Sequence, residues 1–176
     1  IVSEVENLSA RIGAVRAAVG RTIFGQDDVI DQTLITVLSG GHALLVGVPG
    51  LGKSRLVETL GVVLGLGTKR IQFTPDLMPA DITGSEVLDE TEGRRSFRFV
   101  PGPVFCELLM ADEINLASPR TQSALLQSMQ EQRSAVGGVE HALPSPFHVL
   151  APHKPNPQAG TYQTPASHSS RSIPQL

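Results

Sequence analysis

The chain opens on a helical stripe. In "SEVENLSARIGAVRAAVG", Val5, Leu8, Ile12, Val15 and Val19 recur at three- and four-residue spacings, the period of an amphipathic helix with its apolar face turned inward. Ser3 and Glu6 have the spacing of a capping box, and Gly20 closes the segment. A second helix is predicted from Gln26 to Leu38, with Val29, Ile30, Leu34, Val37 and Leu38 inward and Gly40 and Gly41 beyond it. The pattern then changes. "HALLVGV" is a short unbroken apolar run, as in a parallel strand buried on both faces, and "KSRLVETLGVVLG" returns to the helical period after a glycine-rich turn. "KRIQF", "CELLMADE" and "FHVLA" predict three further strands. Between the first two of these, residues 85–100 alternate about a polar turn, Phe97 and Phe99 against Ser96 and Arg98, which predicts an inserted β-hairpin. Ser118 and Pro119 suit the N-cap and first turn of a helix through "RTQSALLQSMQEQ", with Gly137 and Gly138 in a turn beyond it. Strands alternating with helices predict an α/β fold, a parallel sheet covered on both faces. No internal repeat is visible.

The pattern stops at Ala151. Residues 152–176 hold five of the 13 prolines, four serines and no acidic residue, a composition that supplies neither a helix nor a buried strand of ordinary length. The expected organisation is therefore an N-terminal helix over 1–20, a patterned core over 21–151 and an irregular tail over 152–176. At 176 residues and 40% hydrophobic the chain suits one globular domain. Its net charge of −3 gives no global reason to expect nucleic acid or an anionic membrane as partner. No apolar run approaches the roughly 20 residues that span a bilayer, and no basic-then-apolar leader opens the chain, so a soluble, cytoplasmic protein without membrane insertion is expected. Cys106 is the one cysteine, which excludes an intrachain disulfide and a cysteine-rich metal site and suits a reducing compartment.

Two stretches carry chemistry. "GVPGLGKS", residues 47–54, fits G-x-x-x-x-G-K-[ST] between an apolar strand and a helix, the context that a phosphate-binding loop requires. Glycines let backbone N–H groups curl round phosphate oxygens, and the helix N-terminus adds favourable partial charge. Lys53 then reaches the β- and γ-phosphates, and the Ser54 hydroxyl ligates Mg²⁺. The expected nucleotide contacts are Val48, Pro49, Gly50, Leu51, Gly52, Lys53, Ser54 and Arg55, and the expected cofactors are ATP and Mg²⁺. The bland alternative is a tight strand-to-helix turn with a solvated lysine. "LLMADE", residues 108–113, is an apolar strand ending in two acids. At the C-terminal edge of a parallel sheet, Asp112 would hold Mg²⁺ through its hydration shell and Glu113 would orient or deprotonate the attacking water. Its bland alternative is an acidic loop start on the surface.

With these motifs in place, "RIQFTPDLMPADITGSEVLD", "PGPVF", "LLMADEIN", "TQSALLQSMQE" and "GTY" closely resemble the MoxR family of AAA+ ATPases. The resemblance covers about residues 22–151 and includes "FGQDDVI", which matches the segment that contacts the nucleotide base in that family, implicating Phe24 and Gly25. It implies a P-loop NTPase αβα core that assembles into a homo-oligomeric ring, hydrolyses ATP at subunit boundaries and acts as a chaperone on client proteins. It further implies a client contact for the inserted hairpin and a von Willebrand factor A domain protein as partner.

The chain also departs from the family pattern. Leu116 stands in "EINLA" where the family reads "EINRA", and Cys106 replaces a small residue, which a buried thiol would explain. The ungapped position of the sensor asparagine holds Lys154, with Asn156 two residues on, and no "DRF" or helical lid follows, only Arg171. Codons exist for "HKPNP" and "RSIPQL" that, read one base later, spell Thr-Asn-Pro-Ile and Asp-Arg-Phe, so a frame-shifted tail is one reading of this region. These losses raise a second hypothesis, a nucleotide-binding fragment with little or no hydrolysis. A GTPase is disfavoured because no N-K-x-D motif occurs. His42, His141 and His148 lack metal-ligand spacing and read as satisfied or solvated histidines, while Arg94 and Arg95 read as a solvated hairpin turn.

Overall fold

The structure, a computed structural model, describes residues 2–46, 52–91 and 94–153. Helices α1 (Val2–Gly20) and α2 (Asp27–Leu38) precede strand β1 (Ala43–Val46), which leads to helix α3 (Lys53–Leu64) and strand β2 (Thr68–Gln72). A short helix α4 (Pro79–Thr83) and a hairpin of β3 (Gly84–Thr91) and β4 (Arg94–Pro101) come before β5 (Leu108–Asp112). Helix α5 (Pro119–Glu131), a second hairpin of β6 (Arg133–Val136) and β7 (Val139–Ala142), and strand β8 (His148–His153) complete the described chain.

Four of these strands form one parallel sheet in the order β1-β8-β5-β2. Period-2 alternation splits the apolar runs between its two faces. Leu108, Met110 and Leu150 pack with Val19, Ile30, Leu34, Leu56 and Leu60 of α1, α2 and α3. Leu109, Ala111, Val149 and Ala151 pack on the other face with Ile82, Leu125, Leu126 and Met129 of α4 and α5. The predicted layers are therefore present. Each fully buried Leu or Ile contributes roughly 1.5–3 kcal/mol. The caps read from sequence also hold for α5, where Ser118 Oγ accepts from the Thr121 N–H at 3.3 Å and Pro119 fills the first turn.

Some expectations need correction. Helix α1 is already helical at Val2, so Ser3 lies within it rather than at its cap. Of its stripe only Val19 is buried. Ile12 and Val15 are half-buried, while Val5 and Leu8 are exposed, because α1 packs on α2 and α3 mainly through its last turns. Leu38 likewise ends α2 exposed rather than inward. The strand pattern does not stop at Ala151. Pro152 and His153 continue β8, paired with Leu45 and Val46. Proline is tolerated there because the described register with β5 ends at the pair Met110–Leu150, so Pro152 lies beyond that ladder.

The 85–100 hairpin is present in full, from the pair Gly84–Pro101 to the pair Thr91–Arg94. At its base a Cβ on Gly84 would lie 2.4 Å from the Val100 carbonyl oxygen, so this close approach requires glycine. Arg95 lies on its exposed flank in an ion pair with Glu90 at 3.3 Å. The β6–β7 hairpin was foreseen only as a glycine turn. Its strands are four residues each with their apolar residues not alternating, "RSAV" and "VEHA", so they carry no period-2 pattern to announce them. His141 on β7 is not solvated, since its ring stacks on Phe99 with centroids 3.8 Å apart.

The other two histidines are structural. His42 Nδ1 accepts the Val149 N–H at 2.9 Å, and the His148 ring nitrogen Nδ1 lies 3.0 Å from the Gly41 carbonyl oxygen. Burial pushes the His42 imidazole from 6.5 down to about 4, against the opposing effect of a hydrogen bond with the Met129 backbone. The unfolded chain takes up a proton near pH 6.5 and the folded chain resists it until about pH 4. His42 therefore stabilises the fold fully above pH 6.5, and that contribution, roughly 3 kcal/mol, is lost as the pH falls toward 4. Urea melts from pH 7.5 to 4.5 should show a shallower loss of stability for His42→Gln than for the wild type; parallel curves would assign the acid sensitivity to another group. Cys106 is buried as expected, and burial pushes its thiol up to about 11, which leaves it inert.

Candidate nucleotide site

The strands of a parallel sheet open onto ligands at their C-terminal ends. Here β1 ends at Val46, which pairs with His153 at the end of β8, and β5 ends at Asp112 on the other side of β8. Val48, Pro49, Gly50 and Leu51 of the predicted loop lie outside the described residues, as do Lys154, Asn156 and Arg171 of the tail.

The chain re-enters at Gly52 with φ 69°, a left-handed conformation that strains any residue bearing a Cβ. Helix α3 starts at once, with the Leu56 N–H donating to the Gly52 carbonyl at 2.8 Å. Its N-cap residue is glycine, which makes no side-chain cap, and the start of a helix carries the partial positive charge that favours an anion. Lys53 and Ser54 are half-buried in this first turn, while Arg55 is exposed. The Ile23 side chain lies 3.9 Å from where a Gly52 Cβ would stand. Ile23 thus lies near the loop exit, and its neighbour Phe24 is 79% exposed.

On β5, Asp112 is only 6% exposed, and both Nε and Nη2 of Arg70 donate to its Oδ2, at 2.8 and 2.6 Å. Glu113 follows with φ 56°, left-handed without being glycine, and opens a 3-10 turn over Ile114–Leu116. Such a backbone costs of order 1 kcal/mol or more and persists where the surroundings fix it, often at functional sites. Gln72 Nε2 donates to Glu113 Oε2 at 2.6 Å. Strand β2 thus supplies a cation to one acid and an amide to the other, from positions 70 and 72 on one side of the strand.

His153 Nδ1 lies 3.1 Å from the Oδ1 of buried Asn115. Burial first, and the Lys53 ammonium second, hold the His153 imidazole below its ordinary value. His153 therefore belongs with Lys53 and not with an unpatterned tail. Arg70, Gln72, Asn115 and His153 escaped the sequence reading. Alternation in "KRIQF" places Arg70 and Gln72 on one side of the strand without showing which acids they meet; His153 could have been found by counting on from Ala151 along the strand.

Among the described residues no group of three or more His, Cys, Asp or Glu could hold a metal ion. Mg²⁺ typically takes one or two carboxylates and completes its shell with water and phosphate oxygens, so the hard oxygens of Ser54 and Asp112 fit an ion that arrives with a nucleotide. No helix among the described residues is long and apolar enough to cross a membrane.

Comparison with known proteins agrees with this geometry. The ATPase family associated with various cellular activities (AAA) matches residues 42–173, so the match runs past His153 into the tail. Chaperone MoxR1 of Mycobacterium tuberculosis is 43% identical over 94% of this chain and 44% of its own length. The uncharacterised protein YeaC of Bacillus subtilis is 39% identical over 94% of this chain and 51% of its own. A crystal structure from Cytophaga hutchinsonii, of a protein provisionally named an ATPase, superposes with a TM-score of 0.83 at 38% identity over 99% of this chain and 54% of that one. The chain thus spans about half the length of these relatives. Over that span its P-loop NTPase fold, its motifs and its relatives agree: the chain belongs to the MoxR family of AAA+ ATPases.

Proposed function

We propose that the chain binds Mg²⁺·ATP and hydrolyses it, as the nucleotide-binding core of a MoxR-type chaperone-like motor. The observation that carries this reading is the topology: α3 starts from left-handed Gly52 beyond the C-terminal end of β1, and the buried Asp112 and left-handed Glu113 stand at the C-terminal end of β5 in the same parallel sheet. Lys53 grips the β- and γ-phosphates, and the first N–H groups of α3 hold their oxygens. Ser54 and Asp112 would hold Mg²⁺, which would supply neutralisation of the phosphate charge. Glu113 takes the proton of the water that attacks the γ-phosphorus as ADP leaves. Phe24 and Gly25 sit against the base, and the core over 21–151 is the unit that performs this chemistry, with 1–20 as a helix on its face.

The name of the mycobacterial relative supports action on other proteins. We place client contact on the β3–β4 hairpin, whose Leu88 and Phe97 are exposed. Assembly into a ring and a von Willebrand factor A domain partner are part of the same proposal. A nucleotide-binding core without turnover is the second reading, favoured by Leu116, which stands where the resembled family carries an arginine. Both are separated on one preparation by measuring bound ATP and released phosphate across protein concentrations. Binding with turnover that rises steeply with concentration supports the motor; binding with background release supports the second reading, and no binding removes both.

A further inference from the structure

Strand β2 lies at one end of the sheet order, and its Arg70 side chain is 54% exposed, whereas the Asp112 side chain it grips is 9% exposed. A carboxylate so withdrawn from water needs a counter-charge, because an unpaired buried ion costs several kcal/mol. Arg70 supplies it with two donors on one oxygen, Oδ2. That same carboxylate is the proposed Mg²⁺ holder, and a guanidinium and a divalent ion drawn to one carboxylate repel each other. The partners are unequal in what they lose on parting. Arg70 can swing its long side chain back to water from an edge strand, while Asp112 cannot leave.

We propose that Arg70 is the resident counter-cation of Asp112 and competes with the incoming divalent ion, so that it sets the Mg²⁺ concentration at which nucleotide is gripped. This rests on the nucleotide-site reading above and extends it: Arg70 keeps the empty site folded and neutral, then yields as Mg²⁺ arrives with the phosphates. It is a positioning residue, acting through Asp112 rather than on the nucleotide.

The test titrates free Mg²⁺ against a fixed amount of fluorescent ADP bound to the full chain and reads the midpoint. Arg70→Gln, which removes the charge, lowers that midpoint by about tenfold, corresponding to about 1.4 kcal/mol. Arg70→Lys, which keeps the charge but loses the fork, stays within about threefold of the wild type. A midpoint that is unchanged or raised in Arg70→Gln, with the wild type binding normally, overturns this inference alone. Wild-type protein that binds no fluorescent ADP at any Mg²⁺ concentration overturns the nucleotide reading and this inference with it. A measurement on wild-type protein covers the case in which Arg70→Gln does not fold. The Arg70 Nε–H resonance, assigned by its loss in Arg70→Lys, should exchange faster with water once Mg²⁺ and ADP are added. A resonance as protected with Mg²⁺·ADP as without it refutes the competition.

Discussion

Replacing Lys53 with alanine is expected to weaken ATP binding by about a hundredfold or more, near 3 kcal/mol. The ammonium stands in the first turn of α3, where the N–H groups and the helix dipole already favour an anion. Two phosphate charges within about 4 Å of it each contribute up to roughly 4 kcal/mol at the effective dielectric of a protein surface, and solvent exposure reduces that sum. A lysine at a helix N-terminus opposes the dipole and alanine is the better helix former, and a melt of Lys53→Ala beside the wild type separates lost binding from lost folding. A second readout is built into the site: with the ammonium gone, the His153 imidazole should titrate closer to its ordinary value, since Lys53 is one of the two causes that hold it down. Isothermal titration with ATP measures the first effect and histidine NMR the second. Unchanged ATP affinity would remove the phosphate-loop assignment.

What could be read in advance divides along a physical line. The start of α3, the acids that end and follow β5, the cap of α5 and the β3–β4 hairpin are local, written in runs of adjacent residues whose spacing states their conformation. The pairing of Arg70 with Asp112 and of Gln72 with Glu113 is not local. It depends on β2 lying beside β5, 42 and 41 residues away, and alternation within a strand says which residues share a side but not which strand they meet. The same holds for His42, whose role arises only when β1 and β8 are neighbours and bring the Val149 N–H to its ring. Helix α1 shows the opposite error. Its stripe correctly announced a helix, but periodicity states which face is apolar and not how far along that face a partner extends.

The change with the largest expected effect on turnover is Glu113→Gln. ATP affinity should stay within a few-fold of the wild type while phosphate release falls by about 10²-fold or more, the range that a positioned general base contributes. The substitution is conservative in shape. Glutamine keeps the side-chain length, leaves the left-handed backbone at Glu113 as it is, and retains one carbonyl oxygen to accept the Gln72 amide, so only the charge and the basic oxygen are removed. Because Lys53, Ser54 and Asp112 are untouched, binding and turnover should separate, and the variant should hold ATP. Measured beside the wild type, the pair is diagnostic. A variant with wild-type turnover would show that Glu113 is not the base. A wild type already at background, with both proteins binding ATP equally, would place the missing step elsewhere, in groups that a neighbouring subunit or the remaining half of the relatives' length supplies. In that case the constraint on Glu113 stands as a site built for a water that this chain alone cannot activate.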